Sequence, residues 1–253
     1  MIAPGISNVV VAIAMEAEAS PFIRHLNLQP DPTFFPTETP FRAFRGRHNS
    51  CNLTVVTNGA DAVYGTGVDN VGTVPAALAT FLALQKMKAG SDPADLLINA
   101  GTCGGFQRKG AAIGDVFLTT AVTNHDRRIA IPGFAAYGVG YIESMSVERL
   151  ASHIDAKLGI CTTGNSLDFH ELDSHHMLEN DASVKDMEAA AIAWSAEVWG
   201  TPHFGVKVVT DIVDGDKPSH EEFMENLGTA ARSLQTTLPR VIDYVCDKMH
   251  DEL

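Results

Sequence analysis

Apolar positions in this chain gather into short unbroken runs, and between the runs they recur at helical spacing. Residues 9–14, Val9-Val10-Val11-Ala12-Ile13-Ala14, form one such run and read as a buried strand. Glu16, Ala17, Glu18 and Ala19 begin a helix-prone stretch behind it. Residues 41–47 and 52–56 read as two strands around a turn containing His48, Asn49 and Ser50. A helix is predicted over 73–87, with Pro75 tolerated in its first turn. Residues 96–100, Leu96-Leu97-Ile98-Asn99-Ala100, read as another buried strand, ending in a glycine-rich turn, Gly101-Thr102-Cys103-Gly104-Gly105. Further on, the pattern predicts a strand over 115–122, a helix over 147–156, a strand over 158–163 and a helix over 186–199. A strand over 204–210 and one or two closing helices over 221–248 complete the chain. Strands alternate with helices, no internal repeat appears and no linker divides the chain. The expected architecture is α/β: a single domain over residues 1–253, with a central mixed, twisted sheet flanked by helices.

Charge narrows the partners. With 18 basic and 31 acidic side chains the net charge is 18 − 31 = −13. Such a chain is a poor sequence-blind binder of nucleic acid or anionic membrane, so neither is expected as a partner. The longest apolar run, Val9 to Met15, is far too short to cross a bilayer. The start, Met1-Ile2-Ala3-Pro4-Gly5, lacks the basic-then-apolar pattern of a secretory signal, which points to a cytoplasmic protein. The ending, His250-Asp251-Glu252-Leu253, spells an ER-retention address and is read as coincidence. Cys51, Cys103, Cys161 and Cys246 show no zinc or redox spacing and are expected as four reduced thiols. No metal-ligand spacing is present, so neither metal nor cofactor is expected.

In folds of this kind ligands collect at the carboxyl ends of strands. The first end delivers Met15, Glu16 and Glu18, where Glu18 could serve as a general base; the plain alternative is an acidic, solvated helix start. The second end is the glycine-rich turn, whose backbone N–H groups could approach a ligand. It is neither a dinucleotide fingerprint nor a P-loop, and a simple tight turn is its alternative. The third is Asp186-Met187-Glu188, opening a helix, where a carboxylate could accept two hydrogen bonds from a vicinal diol such as ribose. The fourth is Thr210-Asp211, a candidate general acid if burial raises its pKa.

Taken in order along the chain, these segments resemble the 5′-methylthioadenosine/S-adenosylhomocysteine nucleosidases of the nucleoside phosphorylase superfamily, the plant-type enzymes most closely. Val71-Gly72-Thr73-Val74-Pro75-Ala76, His125-Asp126-Arg127-Arg128 and Asp214-Gly215-Asp216-Lys217-Pro218 extend the resemblance over nearly the whole chain. It implies hydrolysis of the N-glycosidic bond of methylthioadenosine to adenine and methylthioribose, in methionine salvage, with S-adenosylhomocysteine as a second candidate substrate. By residue, it implies that Glu18 activates water and that Met187 and Glu188 hold the ribose with Met15 nearby. Asp211 faces N7 of adenine. Thr102 lies near the water, Gly104 on the purine side, and Lys207 supports the site. Leu167 and Asp168 belong to the loop that reads adenine, and Phe223 covers the base. Phe134 and Tyr137 match a segment that reaches into the partner's site in a homodimer. His125-Asp126 is implied to be structural. Two departures stand out: Gly164-Asn165 where the plant-type pattern has Gly-Asp, and Ala60 where related plant sequences carry arginine.

Two rivals remain at this stage. A phosphorylase would seat phosphate where the nucleophilic water sits, yet Glu16 and Glu18 would repel it and no arginine precedes Gly101. A storage protein of the same fold would be expected to lose its catalytic acids, and Glu18, Glu188 and Asp211 are all present.

Overall fold

Val9, Val10 and Val11 are fully buried in β1 (Asn8–Ala12), which lies inside the sheet between two parallel neighbours. The structure, a computed structural model, describes residues 5–129, 131–168 and 170–253; residues 1–4, on which most of the signal-peptide reading falls, lie outside them. After β1 come α1 (Glu16–His25), β2 (Gln29–Pro30), β3 (Arg42–His48), β4 (Cys51–Thr57), α2 (Thr73–Ala89) and β5 (Leu96–Gly105). β6 (Val116–Asn124), α3 (Ala135–Val139), β7 (Ile142–Glu143), α4 (Glu148–Ile154), β8 (Lys157–Thr163) and α5 (Glu171–Glu179) follow. β9 (Val184–Asp186), α6 (Ala189–Trp199), β10 (His203–Ile212) and α7 (Ser219–Val245) complete the order.

The sheet is mixed and partly closed. β5 pairs with β10 along one edge, and with β1 and then β9 along the other. β10 continues to β6, β6 to β8 and β8 to β9, so these five strands form a ring. β1, β4, β3 and β2 extend from it as a twisted wing. Side chains alternate along β1. Val9 and Val11 join the core under α1, α4 and α7, with Phe22, Leu150 and Leu234; Val10 and Ala12 join the core under α2 and α6, with Leu84 and Ile192. Each such aliphatic side chain contributes about 1.5–3 kcal/mol by leaving water.

Two local readings change. Gly101 to Gly105 do not form a turn: β5 runs straight through them. Glycine is needed there for side clearance, since a Cβ on Gly104 would stand 2.5 Å from Val213 Cγ2 and 2.9 Å from Asp211 Oδ2. Asp186 ends a strand rather than opening a helix, and Glu188 is the N-cap of α6. The closing segment is one helix, α7, that continues through Pro239.

The cysteine expectation is also corrected. Cys51, at the start of β4, and Cys246, just past α7, form a disulfide with Cα atoms 5.8 Å apart. They are 195 residues apart in sequence, so no short-spacing rule could pair them. The same corner is tied by Ile6 N–H to Lys248 O and Asp247 N–H to Ile6 O, both 2.9 Å. Cys103 and Cys161 remain thiols, both buried. Among the described residues no helix is long and apolar enough to cross a membrane.

Candidate active site

The carboxyl ends of β1, β5, β9 and β10 open onto one cleft, which encloses about 790 Å³ including its mouth. Its wall contains Met15, Glu18, Thr102, Gly104, Leu167, Met187, Glu188, Lys207, Asp211 and Phe223, ten of the residues singled out in sequence.

Glu18 and Glu16 share the first turn of α1 but part ways. Glu16 stays at the surface, 2.8 Å from Arg42 Nη1. Glu18 turns inward and is 2% exposed. Its Oε1 accepts hydrogen bonds from Thr102 N (2.8 Å) and Thr102 Oγ1 (2.6 Å). Among the described residues no protein donor reaches Oε2, which leaves that oxygen for a molecule in the cleft. Burial pushes the Glu18 carboxyl up, while the Thr102 hydrogen bonds and Lys207 pull it back toward ionisation.

Glu188 sits where β9 gives way to α6. Its Oε1 accepts the backbone N–H of Gly72 at 2.8 Å. Burial, and then the negative charge of Asp186, push its carboxyl up to about 7. Beneath it lies a buried ion pair, Lys207 Nζ to Asp186 Oδ2 at 2.7 Å. Asp186 also accepts Thr163 Oγ1 at 2.6 Å and the Ala189 N–H at 2.8 Å, so it caps α6 as well as balancing Lys207. These contacts outweigh burial and hold Asp186 below the usual carboxylate range, while Asp186 outweighs burial to keep Lys207 protonated.

Asp211 lies where the pairing of β10 with β5 slips by one residue, between Val209 and Asp211. Such a bulge re-aims a side chain, and the carboxyl is turned over Gly104. Thr210 Oγ1 is 2.9 Å from Asp211 Oδ1. Burial raises the Asp211 carboxyl, against the Ser219 and Thr210 hydroxyls that favour its anion. The first turns of α7 brace this strand end: Glu222 Oε2 accepts Ile212 N–H (2.8 Å) and Asn226 Nδ2 donates to Thr210 O (2.9 Å).

Two singled-out residues are not in the cleft. Asp168 is exposed and offers only its backbone oxygen, 3.2 Å from Lys185 Nζ. Phe134 is 46% exposed on the outer surface, edge-on to Tyr137 with ring centres 6.3 Å apart. Conversely, Lys185 was not singled out: its Nζ also donates to Leu167 O at 3.0 Å and so holds the 164–168 loop over the cleft. Nor was Asp186 given a role. One signal pointed to it, because Lys207 interrupts an otherwise apolar strand, and a lysine buried there requires a buried partner of opposite charge. His125 and Asp126 lie outside the cleft lining; His125 packs against Gly164, where a Cβ would stand 2.2 Å from its Nε2.

Comparison with known proteins adds four findings. The family model described as the phosphorylase superfamily matches residues 8–243. The chain is 45% identical to a 5′-methylthioadenosine nucleosidase of Arabidopsis thaliana, over 95% of this chain and 88% of that protein. It is 41% identical to a 5′-methylthioadenosine/S-adenosylhomocysteine nucleosidase of the same plant, over 98% of this chain and 95% of that one. The solved apo structure of an Arabidopsis 5′-methylthioadenosine nucleosidase superposes with a TM-score of 0.93 at 43% identity, covering 98% of this chain and all of that chain.

Proposed function

We infer, from a chain that belongs to the phosphorylase superfamily and within it to the 5′-methylthioadenosine nucleosidases, that it hydrolyses the N-glycosidic bond of 5′-methylthioadenosine to adenine and 5-methylthioribose. The observation that carries this reading is the convergence of Glu18, Glu188 and Asp211 on one cleft in three different hydrogen-bonding environments.

Asp211, with its pKa raised, is the general acid that protonates N7 so that adenine leaves neutral. As the bond to adenine stretches, the ribose gains oxocarbenium character. Glu188 accepts the 2′ and 3′ hydroxyls and lends negative charge beside the developing cation. Glu18, with Oε1 fixed by Thr102, takes the proton of the attacking water on Oε2. Met15 and Met187 border the sugar, and Phe223 and Leu167 border the base. The lysines supply little for a phosphate, since Lys207 is committed to Asp186 and Lys185 to the 164–168 loop. That favours water over phosphate as nucleophile.

Turnover of methylthioadenosine with and without saturating phosphate tests the reading. Methylthioribose at an unchanged rate is expected, whereas methylthioribose 1-phosphate, or a rate that climbs with phosphate, would replace it with the phosphorylase reading. Relative turnover of S-adenosylhomocysteine in the same assay decides whether that thioether is a second substrate.

A homodimer and a cytoplasmic place in methionine salvage complete the proposal. The product sugar keeps the methylthio group that salvage would recover. The dimer is supported by an apolar face on α2, α3 and α6, where Val74, Leu78, Tyr137 and Trp194 are each more than half exposed. Light scattering at micromolar concentration is expected to give twice the chain mass of 27.1 kDa, and a fully active monomer would refute the dimer.

A further inference from the structure

Two lysines are buried in the wall of the cleft, and they are held differently. Lys207 is paired with the carboxylate of Asp186. Lys185, in β9, has no such pair among the described residues: its Nζ donates to the backbone oxygens of Leu167 (3.0 Å) and Asp168 (3.2 Å). Two neutral carbonyls occupy two of the three N–H donors of an ammonium and leave its charge unbalanced.

The sheet register shows where that charge is directed. Lys185 stands opposite Gly104 across β9 and β5, and Gly104 stands opposite Asp211 across β5 and β10. Residues directly opposite in a sheet share a face, so lysine, glycine and carboxylic acid form one row. Gly104 puts no side chain between the outer two. A Cβ there would stand 2.9 Å from Asp211 Oδ2, because the carboxyl leans over Gly104 in the direction of β9. The carboxylates that face Lys185 are Asp211, Asp168, Asp173 and Asp126, and Asp211 does most to hold the ammonium up against burial. Asp211 in turn is faced by Lys185, which favours its anion, and by Glu222, which opposes it.

We propose that Lys185 is a positioning residue for the general acid: its ammonium, fixed by the loop over the base, faces the Asp211 carboxylate that forms as the proton passes to the base, and so promotes that transfer. The proposal rests on the reading that Asp211 protonates N7. In that step the O–H bond of Asp211 breaks, an N7–H bond forms, and the electrons of the breaking C1′–N9 bond pass into the purine. Negative charge is left on Asp211, and a fixed cation beside it stabilises that charge. Because Leu167 and Asp168 hold the same ammonium, the acid reaches full strength only with the loop in place over the base.

The test uses two nucleosides whose binding calorimetry follows without turnover. Both present the same N1 and 6-amino edge to the loop. 9-Deazaadenosine carries a hydrogen on N7 and donates it to an ionised Asp211, as the protonated base would. 7-Deazaadenosine has C–H in place of N7 and makes no hydrogen bond there. Lys185→Met and Lys185→Gln both remove the charge, and the glutamine keeps an N–H for the loop; each is measured well below its melting temperature. In both, the loss of affinity for 9-deazaadenosine is expected to exceed the loss for 7-deazaadenosine by roughly tenfold or more, the effect of taking an opposite charge away from a carboxylate. An equal change on the two nucleosides would show that Lys185 only holds the loop and would overturn the proposal. Asp211→Asn is measured alongside. If it also treats the two nucleosides alike, the assignment of Asp211 to N7 fails and takes this proposal with it. If it weakens 9-deazaadenosine selectively while the lysine variants do not, only the role of Lys185 fails.

Discussion

Replacing Glu188 by glutamine separates what this carboxylate does for the reaction from what it does to the fold. Its value in the folded chain is about 7 against an ordinary 4.5. That difference corresponds to about 3 kcal/mol by which ionisation of Glu188 opposes folding. Because the side chain faces a cleft that water enters, about 1–3 kcal/mol is the expected realised effect. The sign follows from proton binding. The folded state holds this proton more tightly than the unfolded chain, so stability falls as pH rises from about 4.5 to about 7 and the loss is complete above that window. Glutamine is neutral throughout, and its Oε1 can still accept the Gly72 N–H. Glu188→Gln should therefore match wild type near pH 4 and exceed it by about 1–3 kcal/mol at pH 8, a gain of roughly 2–10 °C in Tm for a chain of this length. The same change removes the charge beside the oxocarbenium ion and should cost about 10²–10³ in turnover. Urea unfolding at pH 4 and pH 8, with adenine release measured at pH 7.5, checks both halves. A stability difference independent of pH, or one that favours wild type at pH 8, would refute the electrostatic reasoning; wild-type turnover would refute the role of Glu188.

The other acids follow the same logic with different readouts. Asp211→Asn cannot protonate N7 and should lose about 10²–10⁴ in rate while still binding adenine, and Glu18→Gln should lose hydrolysis while still holding a nucleoside; calorimetry on the folded variants checks that binding survives. In the wild type, kcat/KM should rise on the acid side through about pH 7 as Glu188 ionises. Opening the Cys51–Cys246 disulfide releases a constraint spanning 195 residues, which chain entropy values at up to about 5 kcal/mol. Dithiothreitol, or Cys246→Ser, should lower Tm and leave turnover at 25 °C unchanged, because the bridge lies at the opposite end of the strands from the cleft; a loss of turnover without loss of fold would contradict that.

Much of the fold was legible in sequence because its signals are local. Val9-Val10-Val11 and Leu96-Leu97-Ile98 read as buried strands and both lie in strands, although β5 runs on through the glycines to Gly105. Boundaries failed where a tertiary contact overrides local preference. Glycines 101, 104 and 105 look like a turn, and only the nearness of Val213, Asp211, Ala111 and Val209 explains why the strand must lack side chains at Gly104 and Gly105. Asp186 looks like a helix-opening acid, and only the return of β10 with Lys207 makes it the buried partner of a cation. Cys51 and Cys246 carry no mark of each other. The candidate site was legible as residue types at strand ends, but not as a set of contacts. Nothing in the spacing of Thr102 and Glu18 shows that one donates twice to the other, and nothing near Lys185 announces the Leu167 and Asp168 carbonyls that it holds.

The cleft places four carboxyl groups within one wall, and their environments drive them apart rather than toward a common state. Asp186 keeps a cation and two further donors and is the most firmly ionised carboxylate of the group. Glu18 has both its donors on Oε1, which leaves Oε2 to take a proton from the cleft, and so suits a base. Glu188 has one donor and the nearby negative charge of Asp186, which leaves it balanced near neutrality and responsive to a ligand that offers two hydroxyls. Asp211 is buried at a bulge, and that burial, against the hydroxyls that favour its anion, helps it keep a proton for delivery. Carboxyl groups separated in this way take opposite roles in one reaction. The separation depends on Lys207: without its charge Asp186 would be an uncompensated buried anion, and Glu188 would lose a positive neighbour that opposes its protonation. Lys207 thus acts on Glu188 through Asp186 and through space, with its own ammonium committed to the protein.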